Sequence, residues 1–164
     1  MPRRLALFVL AVLSPAALAQ DLRAGAAAVD ITPALEPGHP VYMAGFYQDR
    51  IASAVHDPIW ARALVLESGG EHYAFVALDL IGHLSHRIES ATARIEAELS
   101  IPGDHVVVAS THTHDGPDAI GIWGPRLTKC GIDLEWLDRV DAAIVESVRR
   151  AAAALAPARR RFGE

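Results

Sequence analysis

Residues 60–78, which read WARALVLESGGEHYAFVAL, decide the fold that the sequence predicts. Residues 60–67 and 72–78 are short and largely apolar, as buried strands are. Gly69 and Gly70 stand between them and provide the backbone conformations that a tight hairpin turn requires. We therefore predict that these two strands form an antiparallel β-hairpin.

A helix and a further strand follow the hairpin. Apolar side chains recur at spacings of three and four from Ile88 to Leu99, which predicts an amphipathic helix with Ser85 as its cap. Pro102 closes this helix, and the β-branched run of residues 106–110 predicts the next strand. A strand, a helix and a strand in this order form a right-handed βαβ unit, so we expect the two strands to be parallel.

The remaining sequence adds one strand, one loop and one helix. Residues 24–31 predict a first strand, and residues 43–55 show no regular period, which predicts an irregular loop. Asp133 is expected to cap a second helix, whose apolar stripe runs to Leu155 before Pro157 ends it. The predicted class is therefore α/β: a mixed sheet with a β-hairpin and a βαβ unit, and helices packed on the sheet. The chain stops soon after the second helix, so we expect an incomplete domain.

The composition narrows the class of protein. The chain has 164 residues, of which 51% are hydrophobic and 21% charged, and this balance excludes a disordered chain. The formal net charge of −5 gives no basis for nucleic-acid binding, so we expect no nucleic acid among the partners. Cys130 is the single cysteine, which excludes an intramolecular disulfide and a cysteine-rich zinc motif.

Residues 1–19 have the pattern of a secretory signal peptide. A basic start, a short apolar run at residues 5–13 and an A-x-A site ending at Ala19 follow one another. The apolar run is shorter than the roughly 20 residues that a membrane-spanning helix needs, which disfavours a membrane anchor. We therefore predict cleavage near Ala19-Gln20 and a secreted or periplasmic mature protein.

Two histidines follow the strand at residues 106–110. His112 and His114 are one residue apart, and Gly116 and Pro117 then end any extended structure. Residues i and i+2 of an extended chain point to the same face, so we expect both imidazoles to face one site. Neutral imidazole is the commonest metal ligand among side chains, and zinc takes nitrogen ligands. The pair therefore predicts a metal site.

Asp79 is predicted to lie near the same site. It follows the strand at residues 72–78, and the carboxyl ends of parallel strands meet at the edge where open α/β sheets bind ligands. Its carboxylate can orient an imidazole, or it can cap the backbone of residues 80–82. His83 and His86 are further candidate ligands, although we expect both at the surface. A closed zinc site needs about four ligands, which is more than this set supplies.

Two other classes of His-x-His enzyme do not fit the sequence. Metallo-β-lactamase-like hydrolases have an aspartate and then a histidine where this chain has Gly116 and Pro117. Amidohydrolase barrels carry the motif after their first strand, whereas three predicted strands precede it here.

Residues 110–117, STHTHDGP, resemble the THTHSGP signature of the neutral/alkaline non-lysosomal ceramidases. Further motifs similar to that family occur in the family's order: Asp-Ile-Thr at residues 30–32, the loop after Met43, His56 with Trp-Ala-Arg at residues 60–62, and Asp79-Leu80. The resemblance covers essentially the whole mature chain.

The resemblance implies a zinc-dependent hydrolase that cleaves the amide bond of N-acylsphingosine (ceramide), or of a related lipid amide, to a sphingoid base and a fatty acid. His112 then corresponds to a zinc ligand and His114 to a catalytic histidine that faces the substrate. Candidates to support the metal or to form the substrate loop are Asp79, His56 and Asp115. The last of these stands where the family usually has serine. The family's other zinc ligands lie further along its chains, so residues 20–164 would form the N-terminal portion of a ceramidase-type catalytic domain.

A lipid amide substrate needs an apolar groove for its aliphatic chain. Candidates to line that groove are Met43, Phe46, Tyr47, Ile122 and Trp123. We expect an encounter with the membrane surface through this substrate, and the remainder of the catalytic domain as a partner if the chain is truncated. The alternative is a non-catalytic exported α/β module that binds a metal or another ligand through the histidine turn.

Overall fold

The computed structural model describes residues 22–162, and the predicted signal peptide at residues 1–19 lies outside them. The elements are β1 (Arg23–Asp30), β2 (Trp60–Ser68), β3 (Glu71–Leu78), α1 (Ser85–Leu99), β4 (Val106–Ser110), α2 (Leu134–Ala153) and β5 (Ala156–Pro157), with a 3-10 turn at Gly103–His105. These bounds confirm the predicted strands and both predicted helices. Across residues 22–162, no helix is both long and apolar enough to cross a membrane.

The five strands form a mixed sheet in the order β4-β3-β2-β1-β5. β2 and β3 pair in antiparallel fashion around the Gly69-Gly70 turn, which confirms the hairpin. β3 and β4 pair in parallel, with Leu78 opposite Ser110, which confirms the parallel arrangement expected of the βαβ unit. The other two pairings, of β1 with β2 and with β5, are antiparallel. The α/β mixed sheet is therefore the fold class that the sequence predicts.

Only one face of the sheet is covered by the helices. Side chains alternate between the two faces of a strand, and the buried set of β2 and β3 includes Ala63, Val65 and Val76. Helix α2 packs on this face with Val140 and Ile144, which are fully buried. The opposite face carries apolar side chains that are 38–52% exposed, namely Leu64, Tyr73, Phe75 and Val107. The register places Leu64, Phe75 and Val107 in one row across three strands.

Helix α2 contacts β1 and the residue after it at both of its ends. At its start, the Trp136 indole is buried and its Nε1 donates a hydrogen bond of 2.7 Å to the Ile31 carbonyl. At its end, a Cβ atom added to Gly25 of β1 would lie 2.1 Å from the Ala151 carbonyl oxygen. Only glycine therefore permits this close approach of strand and helix.

The helix caps divide into one confirmed prediction and one wrong prediction. Asp133 caps α2, because its Oδ1 accepts a 2.9 Å hydrogen bond from the Trp136 backbone N–H. Ser85 does not cap α1: Leu84 occupies the N-cap position and no side chain bonds the free N–H groups there. The helix therefore begins one residue earlier than a serine cap would require, with Ser85 inside its first turn.

This difference predicts unequal effects of two alanine substitutions. Asp133→Ala removes the cap of α2 and is expected to lower the free energy of unfolding by about 1 kcal/mol. Ser85→Ala removes a hydroxyl that caps nothing and is expected to leave that free energy unchanged within about 0.5 kcal/mol. Urea denaturation followed by circular dichroism measures both. Equal losses in the two variants would contradict the observed cap geometry.

Candidate functional site

The turn after β4 carries both histidines, and the carbonyls of the segment after β3 hold it in place. The His112 backbone N–H donates a 2.9 Å hydrogen bond to the Leu80 carbonyl, which continues the parallel ladder beyond the strands. The backbone φ of His112 is +61°, in the left-handed region, so the prediction that the two histidines share one extended strand face was wrong. The turn nevertheless brings the two rings together, with centroids 5.3 Å apart and planes at 70°.

The His112 ring is fixed in one tautomer by a backbone carbonyl. Its Nδ1 lies 2.6 Å from the Ile81 carbonyl oxygen. A carbonyl can only accept a hydrogen bond, so Nδ1 carries the proton and Nε2 keeps its lone pair in the neutral ring. His112 is exposed, and its Nε2 is therefore the atom available to a metal ion.

The His114 ring is packed by the loop that precedes β2. Gly45 has a φ of +77°, and a Cβ atom there would lie 2.5 Å from the His114 Nδ1. The Phe46 ring meets the imidazole edge-on, with centroids 5.3 Å apart. Within the described part of the chain, neither His114 ring nitrogen makes a hydrogen bond. The half-buried imidazole can therefore donate to, or accept from, a bound group.

Arg50 ties this loop to the histidine turn. Its Nη1 donates hydrogen bonds to the carbonyls of Ala44, at 3.0 Å, and of His114, at 2.8 Å. Its Nη2 forms an ion pair with the Asp115 carboxylate at 2.7 Å, and the guanidinium lies 5.1 Å from the centre of the Phe46 ring. The predicted candidate Asp115 thus binds an arginine that sequence reasoning missed. A single arginine in an irregular loop carries no pattern by which it could have been found.

Asp118 organises the loop on the other side of the turn. Its side chain is buried, and its two carboxylate oxygens accept backbone hydrogen bonds from Ile120, Gly121 and Trp123 at 2.9–3.1 Å. Sequence reasoning did not select Asp118 either, although an aspartate three residues before a glycine is typical of such turns.

Asp79 lies at the predicted sheet edge but does not contact either histidine ring by a hydrogen bond. Its Oδ2 accepts a 3.0 Å bond from the Trp60 backbone N–H and pairs with the Arg62 guanidinium. Among residues 22–162, Asp79 therefore neither bonds an imidazole nor caps the backbone of residues 80–82. The antiparallel pairing of β2 with β3 explains the difference, because it places the first residues of β2 directly beside the end of β3.

A cavity of about 580 Å³ lies next to the turn. Its lining includes the polar residues Asp79, Thr111, Thr113 and Asp115 and the apolar residues Met43 and Val55. His56 stands at its rim, with Nδ1 2.6 Å from the Asp57 carboxylate and a side chain that is 97% exposed. Neither His112 nor His114 lines the cavity.

The predicted groove residues do not form one wall. Met43 alone among them lines the cavity, whereas Phe46, Tyr47 and Ile122 are more than half exposed and Trp123 is partly buried. These four side chains belong to the two loops that flank the histidine turn, and Gln48 joins the loops through a 3.0 Å bond from its Nε2 to the Ile122 carbonyl.

The described residues do not complete a metal site by themselves. No group of three or more His, Cys, Asp or Glu side chains is gathered for a metal within residues 22–162. His86 is exposed, as predicted, but the His83 side chain is fully buried and bonds Asp141, so its predicted surface position was wrong. Cys130 is an exposed thiol in a loop.

The fold and the histidine turn define a member of a hydrolase family. Residues 22–164 match the model of the neutral/alkaline non-lysosomal ceramidase N-terminal region. The chain therefore belongs to the neutral/alkaline non-lysosomal ceramidase family.

Similar proteins are found both by sequence and by structure. The chain is 33% identical to the neutral ceramidase of Pseudomonas aeruginosa over 167 residues, which span 94% of this chain and 24% of that protein. The crystal structure of neutral ceramidase from Pseudomonas aeruginosa superposes with a TM-score of 0.65 at 26% identity, over 84% of this chain and 22% of that one. A ceramidase complexed with C2 gives a TM-score of 0.66 over the same shares. This chain thus spans about a quarter of the length of the relatives that it matches.

The close contact between Gly45 and His114 predicts a difference between two glycine substitutions. Gly45→Ala combines a left-handed backbone with a clash against the imidazole, whereas Gly38 has a φ of +82° and nothing within 4 Å of an added Cβ. Gly38→Ala is expected to lower the free energy of unfolding by roughly 1–2 kcal/mol. Gly45→Ala should lower it further and shift the His114 ring resonances in NMR spectra. Unchanged His114 resonances in Gly45→Ala would contradict the observed packing.

Proposed function

We propose that this chain provides the first zinc ligand and a substrate-facing histidine of a zinc-dependent ceramidase. The reaction is hydrolysis of the amide bond of N-acylsphingosine, or of a related lipid amide, to a sphingoid base and a fatty acid. The observation that carries the proposal is the exposed residue His112, whose Nδ1 is held by the Ile81 carbonyl, so that Nε2 keeps its lone pair for a metal. Membership of the ceramidase family supports the same assignment.

The donor set fits a zinc ion in part. Imidazole nitrogen is a preferred zinc ligand, and a carbonyl on the second nitrogen is the usual way to fix a zinc-binding histidine. A zinc site needs about four ligand positions, so we propose that residues 20–164 act as the N-terminal portion of a larger catalytic domain that supplies the others. The exposed apolar sheet face around Leu64, Phe75 and Val107 is a surface on which the rest of that catalytic domain would pack.

His114 is the candidate catalytic residue for proton transfer. Zinc, when bound, supplies Lewis acidity that polarises an amide carbonyl and activates water. The His114 ring lies beside His112, and neither of its nitrogens bonds another of the residues 22–162, so it can hold a proton at the oxygen or nitrogen of the amide. Gly45 and Phe46 fix the direction of the ring, and Arg50 holds the backbone that carries it.

The substrate is proposed to be a lipid amide met at a membrane surface by an exported protein. The exposed aromatic residues Phe46 and Tyr47 lie on the loop that packs against His114, where they can contact an aliphatic chain. The proposed secreted or periplasmic location follows from the signal-like pattern of residues 1–19. Asp115, in place of the family's usual serine, binds Arg50 at this loop, so the substrate preference is proposed to include amides related to ceramide.

The zinc assignment predicts that one histidine substitution weakens metal binding and that another does not. His112→Ala removes the exposed Nε2 ligand and is expected to weaken zinc affinity by at least about tenfold. His86→Ala removes an exposed histidine of α1 and should leave the affinity unchanged. Competition with a chromophoric chelator measures both constants. Equal zinc affinity in the two variants would exclude His112 as the ligand.

The hydrolase assignment is tested with the full-length gene product and a fluorescent ceramide. We expect zinc-dependent release of the fatty acid, lost in His114→Ala with zinc binding retained. A product that binds zinc but cleaves no lipid amide would favour the non-catalytic exported module. Residues 20–164 alone are expected to be inactive, since in this proposal they supply only His112 of the roughly four ligands that a zinc site needs.

A further inference from the structure

A network of polar side chains joins the segment before α1 and the first turn of α1 to the first half of α2. The His83 side chain is fully buried, and its Nε2 lies 2.7 Å from the Asp141 Oδ1. The other carboxylate oxygen of Asp141 accepts a 2.5 Å bond from Arg87, which also bonds Asp138 at 2.9 Å. The hydrogen bond to Asp138 is the main cause that raises the pKa of Arg87 above its ordinary value. Asp141 is therefore held between a cation and an imidazole.

The hydrogen bond fixes which nitrogen of His83 carries a proton. A carboxylate accepts hydrogen bonds, so the His83 Nε2 donates to Asp141. The His83 Nδ1 is buried and has no hydrogen-bond partner among the described residues. A buried polar atom without a partner lowers the stability of the fold. A contribution to stability therefore does not by itself explain why a histidine is buried at position 83.

His83 belongs to the same short segment that holds the metal-ligand candidate. The carbonyls of Leu80 and Ile81 accept hydrogen bonds from the His112 backbone N–H, at 2.9 Å, and from its Nδ1, at 2.6 Å. Both of these residues are buried. The segment is thus bonded to the histidine turn at residues 80 and 81 and anchored to α2 two residues later, at His83.

We propose that His83 is a positioning residue for His112. Its hydrogen bond to Asp141 holds the segment between β3 and α1 so that the Ile81 carbonyl meets the His112 Nδ1. The His112 ring then keeps its proton on Nδ1 and its lone pair on Nε2. The part of this inference that concerns zinc rests on the proposed function, whereas the part that concerns the tautomer does not.

The test compares two amides at position 83. His83→Gln places an N–H donor about where the His83 Nε2 stands, whereas the shorter His83→Asn cannot reach Asp141. NMR correlation of the ring nitrogens of neutral His112 with its carbon-bound protons reports the tautomer. We expect the wild type and His83→Gln to hold the Nδ1–H form, and His83→Asn to show a mixture. Zinc affinity should fall by about tenfold in His83→Asn and stay unchanged in His83→Gln. This is the loss expected when a group that orients a metal ligand through a hydrogen bond is removed.

Controls separate positioning from a general loss of packing. Arg87→Gln weakens the same helix interface but keeps the bond between His83 and Asp141, so the His112 tautomer should stay unchanged. If His83→Asn does not fold, His83→Met replaces it, because methionine fills the space without a donor. The proposal would be overturned if His112 kept its wild-type tautomer in His83→Asn or its substitute His83→Met. It would also be overturned if His83→Gln showed the same mixture of His112 tautomers as His83→Asn. A tautomer change in a protein that binds no zinc would support the positioning role and refute the zinc assignment.

Discussion

The parallel pairing of β3 with β4 is the constraint on which the site depends. Because parallel strands end at the same edge of a sheet, the segment that follows β3 and the turn that follows β4 run side by side. The ladder continues past the strands, through bonds from Thr111 to the Leu78 carbonyl and from His112 to the Leu80 carbonyl. The next carbonyl, of Ile81, meets the imidazole itself. A shift of the register would therefore separate the histidine from the acceptor that fixes its tautomer.

The sequence predicts most of the fold because the main elements are specified locally. The hairpin has a glycine turn between two apolar runs, and α1 has an apolar stripe of helical period, so each is readable within about 20 residues. The short strand β5 has no such signal, since Ala156 and Pro157 are too few to show a period. The wrong cap at Ser85 has a similar cause, because a serine near a helix start bonds the backbone only if it occupies the N-cap position itself.

The candidate site is predictable in its chemistry and much less so in its geometry. His112 and His114 stand out by residue type and spacing alone. The left-handed His112 bonds the Leu80 carbonyl of another segment, and the Arg50 bridge to His114 spans 64 residues of sequence. The buried His83 side chain likewise bonds Asp141 of α2, 58 residues further along the chain. Contacts between residues so far apart in the sequence produce no local sequence pattern, so only the folded chain shows them.

The histidine turn separates two environments along a single stretch of backbone. Thr111, Thr113 and Asp115 line the 580 Å³ cavity, while the two imidazoles between them do not. Substitution of Thr111 or Thr113 changes the cavity lining without touching either imidazole, whereas substitution of Asp115 also removes the ion pair with Arg50, which bonds the His114 carbonyl.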